Sequence, residues 1–186
     1  MSRAASRPAS AGIGLAASAA NALGHAAEGP ATVRASPIPA LAGREAARLI
    51  GEAYAQAGSE QPARDALALA ALLSGYTIDA CGYGLHHVMS QTLARVAGVG
   101  HAQANACMLP HTLAALVQRG AREAGLLVPL AARLAASAQA VRLRDLGISE
   151  ELLDICADAA SSRAELDLTP PRAERDELRS YYAAAY

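Results

Sequence analysis

The 186-residue chain has no phenylalanine, no tryptophan and no lysine. Without Phe and Trp, large apolar rings cannot build a core. The apolar half of the composition, 53 %, must pack through Ala, Leu and Val instead. β-Branched and aromatic residues are scarce, and Ala and Leu are strong helix formers, so the chain reads as all-α with closely packed helices. All sixteen cationic side chains are Arg. That bias fits a GC-rich coding sequence and does not define a function. The formal net charge is -1. No basic patch with interleaved aromatics is present, which argues against a nucleic-acid partner. No apolar run reaches the roughly 20 residues of a membrane helix. The three cysteines, Cys81, Cys107 and Cys156, show no CxxC spacing. An odd, scattered set argues against a disulfide framework and points to a reducing compartment, the cytoplasm.

One domain is expected, with residues 1–13 as a flexible lead and 14–186 as the folded body. The acid-free start "MSRAASRPASAG" has some flavour of a transit peptide, but a disordered lead explains it as well. Helices are predicted over Leu15–Glu28, from Ser36 to about Ala57, and from Pro62 to about Ala80. "GSEQP" separates the second from the third. Further helices are predicted over Leu85–Ala97, Ala102–Gln118 with a kink at Pro110, Ala121–Ala138, Ser149–Ala160 and Pro171–Ala185. No segment alternates with period two, so the fold class is an all-α helical bundle. "GIGLAA", Gly12–Ala17, matches a dinucleotide-binding pattern only in letters. No strand precedes it, and the phosphate-binding turn needs one.

Chemistry concentrates in the histidines. In "NALGHAAEG", Asn21 and His25 are four apart and share a helix face. "GLHHVMSQTLARVAGVGHAQANACMLPH" carries His86, His87, His101 and His111. His87 belongs to a second helix, and His101 follows Gly100 at the start of a third. A site drawn from Asn21, His25, His87 and His101 would sit in a bundle core, with the imidazoles within about 8 Å of one another. Neutral imidazoles suit Zn or Fe(II). A histidine on an apolar face is more often a hydrogen-bonded core residue, so spacing alone leaves both readings open.

These stretches together resemble the C-terminal helical domain of the iron-containing alcohol dehydrogenase family, a dehydroquinate synthase-like fold. The family's motifs are D/N-A-x-x-H-A-x-E, G-x-x-H-x-x-x-H and P-H-G-x-x-N-A-x-x-L-P-H. They appear here in order, from Asn21–Glu28 through Gly84–Gln91 to Gly100–His111. Asn21 and the Leu85-His86-His87 start resemble the family's maleylacetate reductase branch, as does the tail "LRDLGISEELLDICADAA" with "LTPPRAERDELRSYYAAAY". The resemblance implies an oxidoreductase domain for NAD(P)H-dependent reduction of maleylacetate or a related small carbonyl substrate. It implies His25, His87 and His101 as catalytic residues, and His86 and Gln91 in the substrate pocket. It also carries the family's metal ligands onto Asn21, His25, His87 and His101. Asn21 supplies no charge where metal-binding members have Asp, which weakens Fe(II) or Zn binding. The histidines would then act as hydrogen-bond donors or cations on a dicarboxylate.

The sequence departs from the family pattern at Gln91 (usually His), at Gly100 (usually Pro) and at Ala94-Arg95 (usually Gly-Gly). The N-terminal α/β domain, whose Gly-rich loop holds the nicotinamide cofactor, has no counterpart in these residues, so the cofactor-binding residues are unknown. The chain is therefore expected to be incomplete without that domain, and to act as a homo-oligomer or with a separate cofactor-binding partner. The alternative is a non-catalytic truncated remnant or one subunit of a split reductase.

Overall fold

The computed structural model describes residues 7–55 and 63–186, with the side chains of the first helix from Gly12 onward. Among the described residues there are eight α-helices and no strand. They are α1 (Arg7–Glu28), α2 (Pro37–Ala55), α3 (Arg64–Cys81), α4 (Leu85–Val96), α5 (His101–Gln118), α6 (Val128–Ser137), α7 (Glu151–Ser161) and α8 (Arg175–Ala184). The all-α bundle expected from composition is what forms.

Helix α1 is the axis of the bundle. It is packed by α2, α3, α5 and α6, and touches α4. Its residues Ala16, Ala17, Ala19, Ala20, Leu23, Ala26 and Ala27 are all buried and make up the half of the helix that faces its neighbours. Such a wide apolar face belongs inside, and the remaining face carries Asn21 and His25. Small residues let the neighbours come close: a Cβ on Gly43 of α2 would stand 2.7 Å from the Ala26 carbonyl oxygen of α1. With Phe and Trp absent, the largest fully buried side chains include Leu23, Ile50, Leu85, Met89, Leu93, Met108, Leu109, Leu113 and Tyr182. The Tyr182 hydroxyl donates to the Met89 carbonyl at 3.0 Å, which ties α8 to α4 and satisfies the buried polar tip.

Several boundaries differ from the sequence reading. Residues 7–13, expected in the lead, are already helical; residues 1–6 lie outside the described residues. The "GIGLAA" stretch is thus helix interior. The "GSEQP" break and the end of α2 beyond Ala55 also fall outside the described residues. Helix α5 runs through Pro110 without interruption. The predicted Ala121–Ala138 helix divides into a 3-10 segment, Arg122–Leu127, and α6. Pro129 lies in the first turn of α6, where its missing N–H costs nothing, and so favours a helix start there. Helix α8 begins at Arg175 rather than Pro171, after the extended residue Glu174. No single described helix is long and apolar enough to cross a membrane.

Candidate functional site

The site forms where the C-terminal part of α1 meets the N-termini of α4 and α5. Asn21, His25 and Glu28 recur at helical spacing on α1, with Gly24 beside them. Glu28 is completely buried. Its carboxylate accepts the His86 backbone N–H at 2.5 Å, the His87 backbone N–H at 3.3 Å and the His87 ring N–H, Nδ1, at 2.7 Å. The Thr169 hydroxyl accepts the preceding donor, Leu85 N–H, at 3.0 Å. The first three donors of α4, orphaned by helix geometry, are thus all satisfied from elsewhere in the chain. An anion at this end also meets the positive pole of the helix dipole.

The same contacts fix the imidazoles. His87 is 3 % exposed. Because Nδ1–H donates to Glu28, its Nε2 carries the free lone pair, and that atom is buried with no hydrogen-bond partner. The His25 ring lies 4.7 Å from the His87 ring, centroid to centroid, and the Tyr83 ring 5.8 Å. His86, fully buried, pairs through Nδ1 with the Thr112 hydroxyl at 2.8 Å, and its Nε2 is likewise without a partner. That ring lies against Gly24, where a Cβ would come within 2.6 Å of Nε2. Two Asn–His pairs flank the centre, each four residues apart on one helix. Asn21 Nδ2 approaches His25 Nε2 at 3.4 Å, and Asn105 Nδ2 approaches His101 Nε2 at 3.2 Å while also donating to the His101 carbonyl at 2.8 Å. Both amide oxygens, Asn21 Oδ1 and Asn105 Oδ1, are buried and unpartnered.

Electrostatics separates the roles. Burial, and then the neighbouring His87 and His101, push the His25 imidazole down to about 4. Burial likewise lowers His86 far below its usual range, and lowers His101 with help from His87. These three rings are neutral at pH 7. Left to their protein surroundings they act as hydrogen-bonding groups, and a dicarboxylate placed against them would favour the protonated form. His101 is exposed, so the site opens toward it.

The structure thus brings His25, His86 and His87 together, with His101 near enough for its charge to be felt at His25. The metal reading fares differently. Among the described residues no three His, Cys, Asp or Glu side chains converge as metal ligands. The carboxylate that reaches the rings, Glu28, is engaged by three N–H donors. The set Asn21, His25, His87 and His101 therefore does not fit a charge-balanced ion. Gln91, which the resemblance puts in the substrate pocket, accepts from the Arg163 guanidinium at 3.2 Å. Arg163 also binds Glu165 and Tyr83 beside His87, and it holds the Glu165 carboxyl down to about 2. His111 lies ten residues beyond His101 on α5, outside the cluster.

Sequence reasoning missed Glu28, Gly24, Asn105, Thr112 and Thr169. Glu28 closes the first motif and lies one turn after His25, so its placement was readable. The contact to α4, 58 residues away, was not.

These features define a class: a helical domain that presents one oriented imidazole, His87, and several neutral ones at a junction of three helices. Residues 15–136, which span every histidine of the chain, match the family described as Fe-containing alcohol dehydrogenase family, C-terminal. The chain belongs to that family. It is 32 % identical over 182 residues to the maleylacetate reductase of Burkholderia cepacia, covering 89 % of this chain and 50 % of the relative. It is 34 % identical over 150 residues to the 1,3-propanediol dehydrogenase of Citrobacter freundii, covering 73 % and 39 %. The crystal structure of maleylacetate reductase from Rhizobium sp. strain MTP-10005 superposes with a TM-score of 0.79 at 27 % identity, over 94 % of this chain and 53 % of that one. The chain thus spans about half the length of the relatives it matches.

Proposed function

We propose that these helices form the histidine-bearing wall of a reductase active site of the maleylacetate reductase type, with maleylacetate or a related small carbonyl compound as substrate. The observation that carries this reading is His87, clamped at Nδ1 by Glu28 and bare at Nε2. A proton can enter and leave the ring only at Nε2. Its arrival makes an imidazolium next to a carboxylate, and its departure restores the neutral ring, as a general acid–base requires. His87 therefore delivers the proton that completes reduction of the substrate double bond. His25, His86 and His101, neutral, accept or donate hydrogen bonds and orient the substrate. Asn21 and the His86-His87 pair favour the maleylacetate branch over the propanediol branch.

The reaction class is nicotinamide-dependent reduction. The stretch with a dinucleotide-binding pattern, Gly12–Ala17, has its backbone in helix α1 and offers no phosphate cradle. No described residue is therefore assigned to the cofactor. A cofactor-binding domain, in the same polypeptide or a separate one, would close over the side where His101 is exposed. The test is NADH oxidation with maleylacetate, with the α/β domain of a related reductase supplied in trans. The wild-type helices should support turnover, His87→Gln should lose about 100-fold or more, and His111→Gln should match wild type. Equal rates for the His87→Gln and wild-type proteins would overturn the assignment.

A further inference from the structure

A groove of about 910 Å³ runs between α2 and the segment Gly120–Leu130, floored by the end of α1. Its floor residues Ala26 and Ala27 directly follow His25 in α1, but they leave that helix on other faces, about 100° and 200° round from the His25 side chain. Gly120 and Ala121 in its wall follow the C-terminus of α5, whereas His101 opens the N-terminus of that helix, about 27 Å away along its axis. Four arginines line the groove, Arg44, Arg48, Arg122 and Arg133, against one acid, Glu123. The whole chain carries a net charge of only -1, so this local positive excess is a concentration rather than a background. Arg44 pairs with Glu123 at 3.3 Å, and Arg48 turns to Glu45 and Glu52 on its own helix. Arg122 and Arg133 meet no carboxylate among the described residues.

The floor is apolar and shallow-sided, with Ala27, Ala47, Gly51 and Leu130. Gly51 keeps it open: a Cβ there would meet only the Leu130 side chain, at 3.8 Å. Leu126, 82 % exposed and the most exposed large apolar side chain described, also lines the groove. A space of this size holds a small organic ligand. An apolar floor and rim call for an apolar body, and two guanidinium groups without carboxylate partners call for an anionic head.

We propose that this groove binds an amphipathic organic anion, an aryl or acyl carboxylate, whose head is met by Arg122 and Arg133 and whose body covers Gly51 and Leu130. The proposal does not rest on the reductase reading. It is tested by titrating the ¹⁵N-labelled chain with 2-naphthoate, with the neutral 2-naphthylmethanol and with inorganic phosphate, following backbone amide shifts. Naphthoate should move Gly51, Gly120, Ala121 and Gly125, leave His86 and His101 unmoved, and bind about tenfold or more tighter than the alcohol. Phosphate, lacking an apolar body, should not saturate the site. The double variant Arg122→Gln/Arg133→Gln, exposed and therefore expected to fold, should lose the preference for the acid and keep the affinity for the alcohol. Gly51→Leu, which fills the floor, should weaken both ligands. Equal binding of acid and alcohol, shifts centred on the histidines, or no saturable binding would overturn the proposal. So would shifts of the same amides with protein concentration alone, which would make a second copy of the chain the occupant.

Discussion

Glu28→Gln is the sharpest test of how the site is held. The wild-type carboxylate, wholly buried, accepts three N–H groups: Oε1 takes His86 N, and Oε2 takes His87 N and His87 Nδ1. Glutamine keeps the shape but replaces one oxygen with NH₂. In either amide orientation the NH₂ faces a backbone N–H of α4, that of His86 or that of His87. One buried donor then loses its acceptor, a cost of about 1–3 kcal/mol, and the remaining bonds lose their charge assistance. The helix dipole loses its anion as well. Together the loss should be about 2–4 kcal/mol, which for a domain of this size lowers the melting temperature by roughly 5–15 °C. Thermal and urea unfolding followed by far-UV circular dichroism measure it, with the exposed Glu45→Gln as a control expected to stay within about 0.5 kcal/mol. A second readout is specific to the mechanism. Where the new NH₂ donates to Nδ1, the ring proton of His87 must move to Nε2, which ¹⁵N spectra of the imidazole report. A Glu28→Gln protein as stable as wild type, with an unchanged His87 ring, would refute the clamp.

Three further outcomes are expected. Gly24→Ala gains about 1 kcal/mol of helix propensity, but its Cβ would press within 2.6 Å of a His86 ring held by Thr112. Overpacking of about 1–3 kcal/mol should prevail, and a raised melting temperature would contradict that packing. The His25 imidazole, lowered from 6.5 to about 4, is held neutral in the fold while the unfolded chain takes up a proton. Its contribution is therefore intact above pH 6.5 and is lost as the pH falls from 6.5 through about 4, by about 3 kcal/mol in total. Urea midpoints across that range should fall with pH, less steeply in His25→Gln; identical slopes would refute it. Finally, Asn21→Asp adds a carboxylate where Asn21 Oδ1 now stands buried and unpartnered. Calorimetry should show tighter Zn(II) binding than in wild type, and equal affinities would show that residue 21 does not face the other imidazoles.

The sequence by itself determined the fold class and the list of residues that matter. With Ala and Leu abundant and Phe and Trp absent, only close-packed helices could bury enough apolar surface, because small side chains bring helix axes near. Spacing of four put Asn21 and His25 on one face, because helical periodicity is local. Boundaries that rest on local chemistry were partly legible: the Gly82–Gly84 turn before α4 was seen, while the start of α6 at Val128 was not.

What only the tertiary structure decided are the partners. His25, His86 and His87 are residues that a spacing argument treats alike, yet one is clamped by a carboxylate and the others are made neutral by burial. Tautomer and charge depend on contacts between α1 and α4 that lie 58 and 59 residues apart in the chain. Gln91 shares its helix face with His87 but turns to Arg163, a residue 72 positions away. The same holds for the arginine-lined groove, whose members come from α2, from the 3-10 segment after α5 and from α6. Local pattern fixes which way a side chain leaves its own helix; the field and the hydrogen-bond partner it then meets are set by whichever other helix packs there.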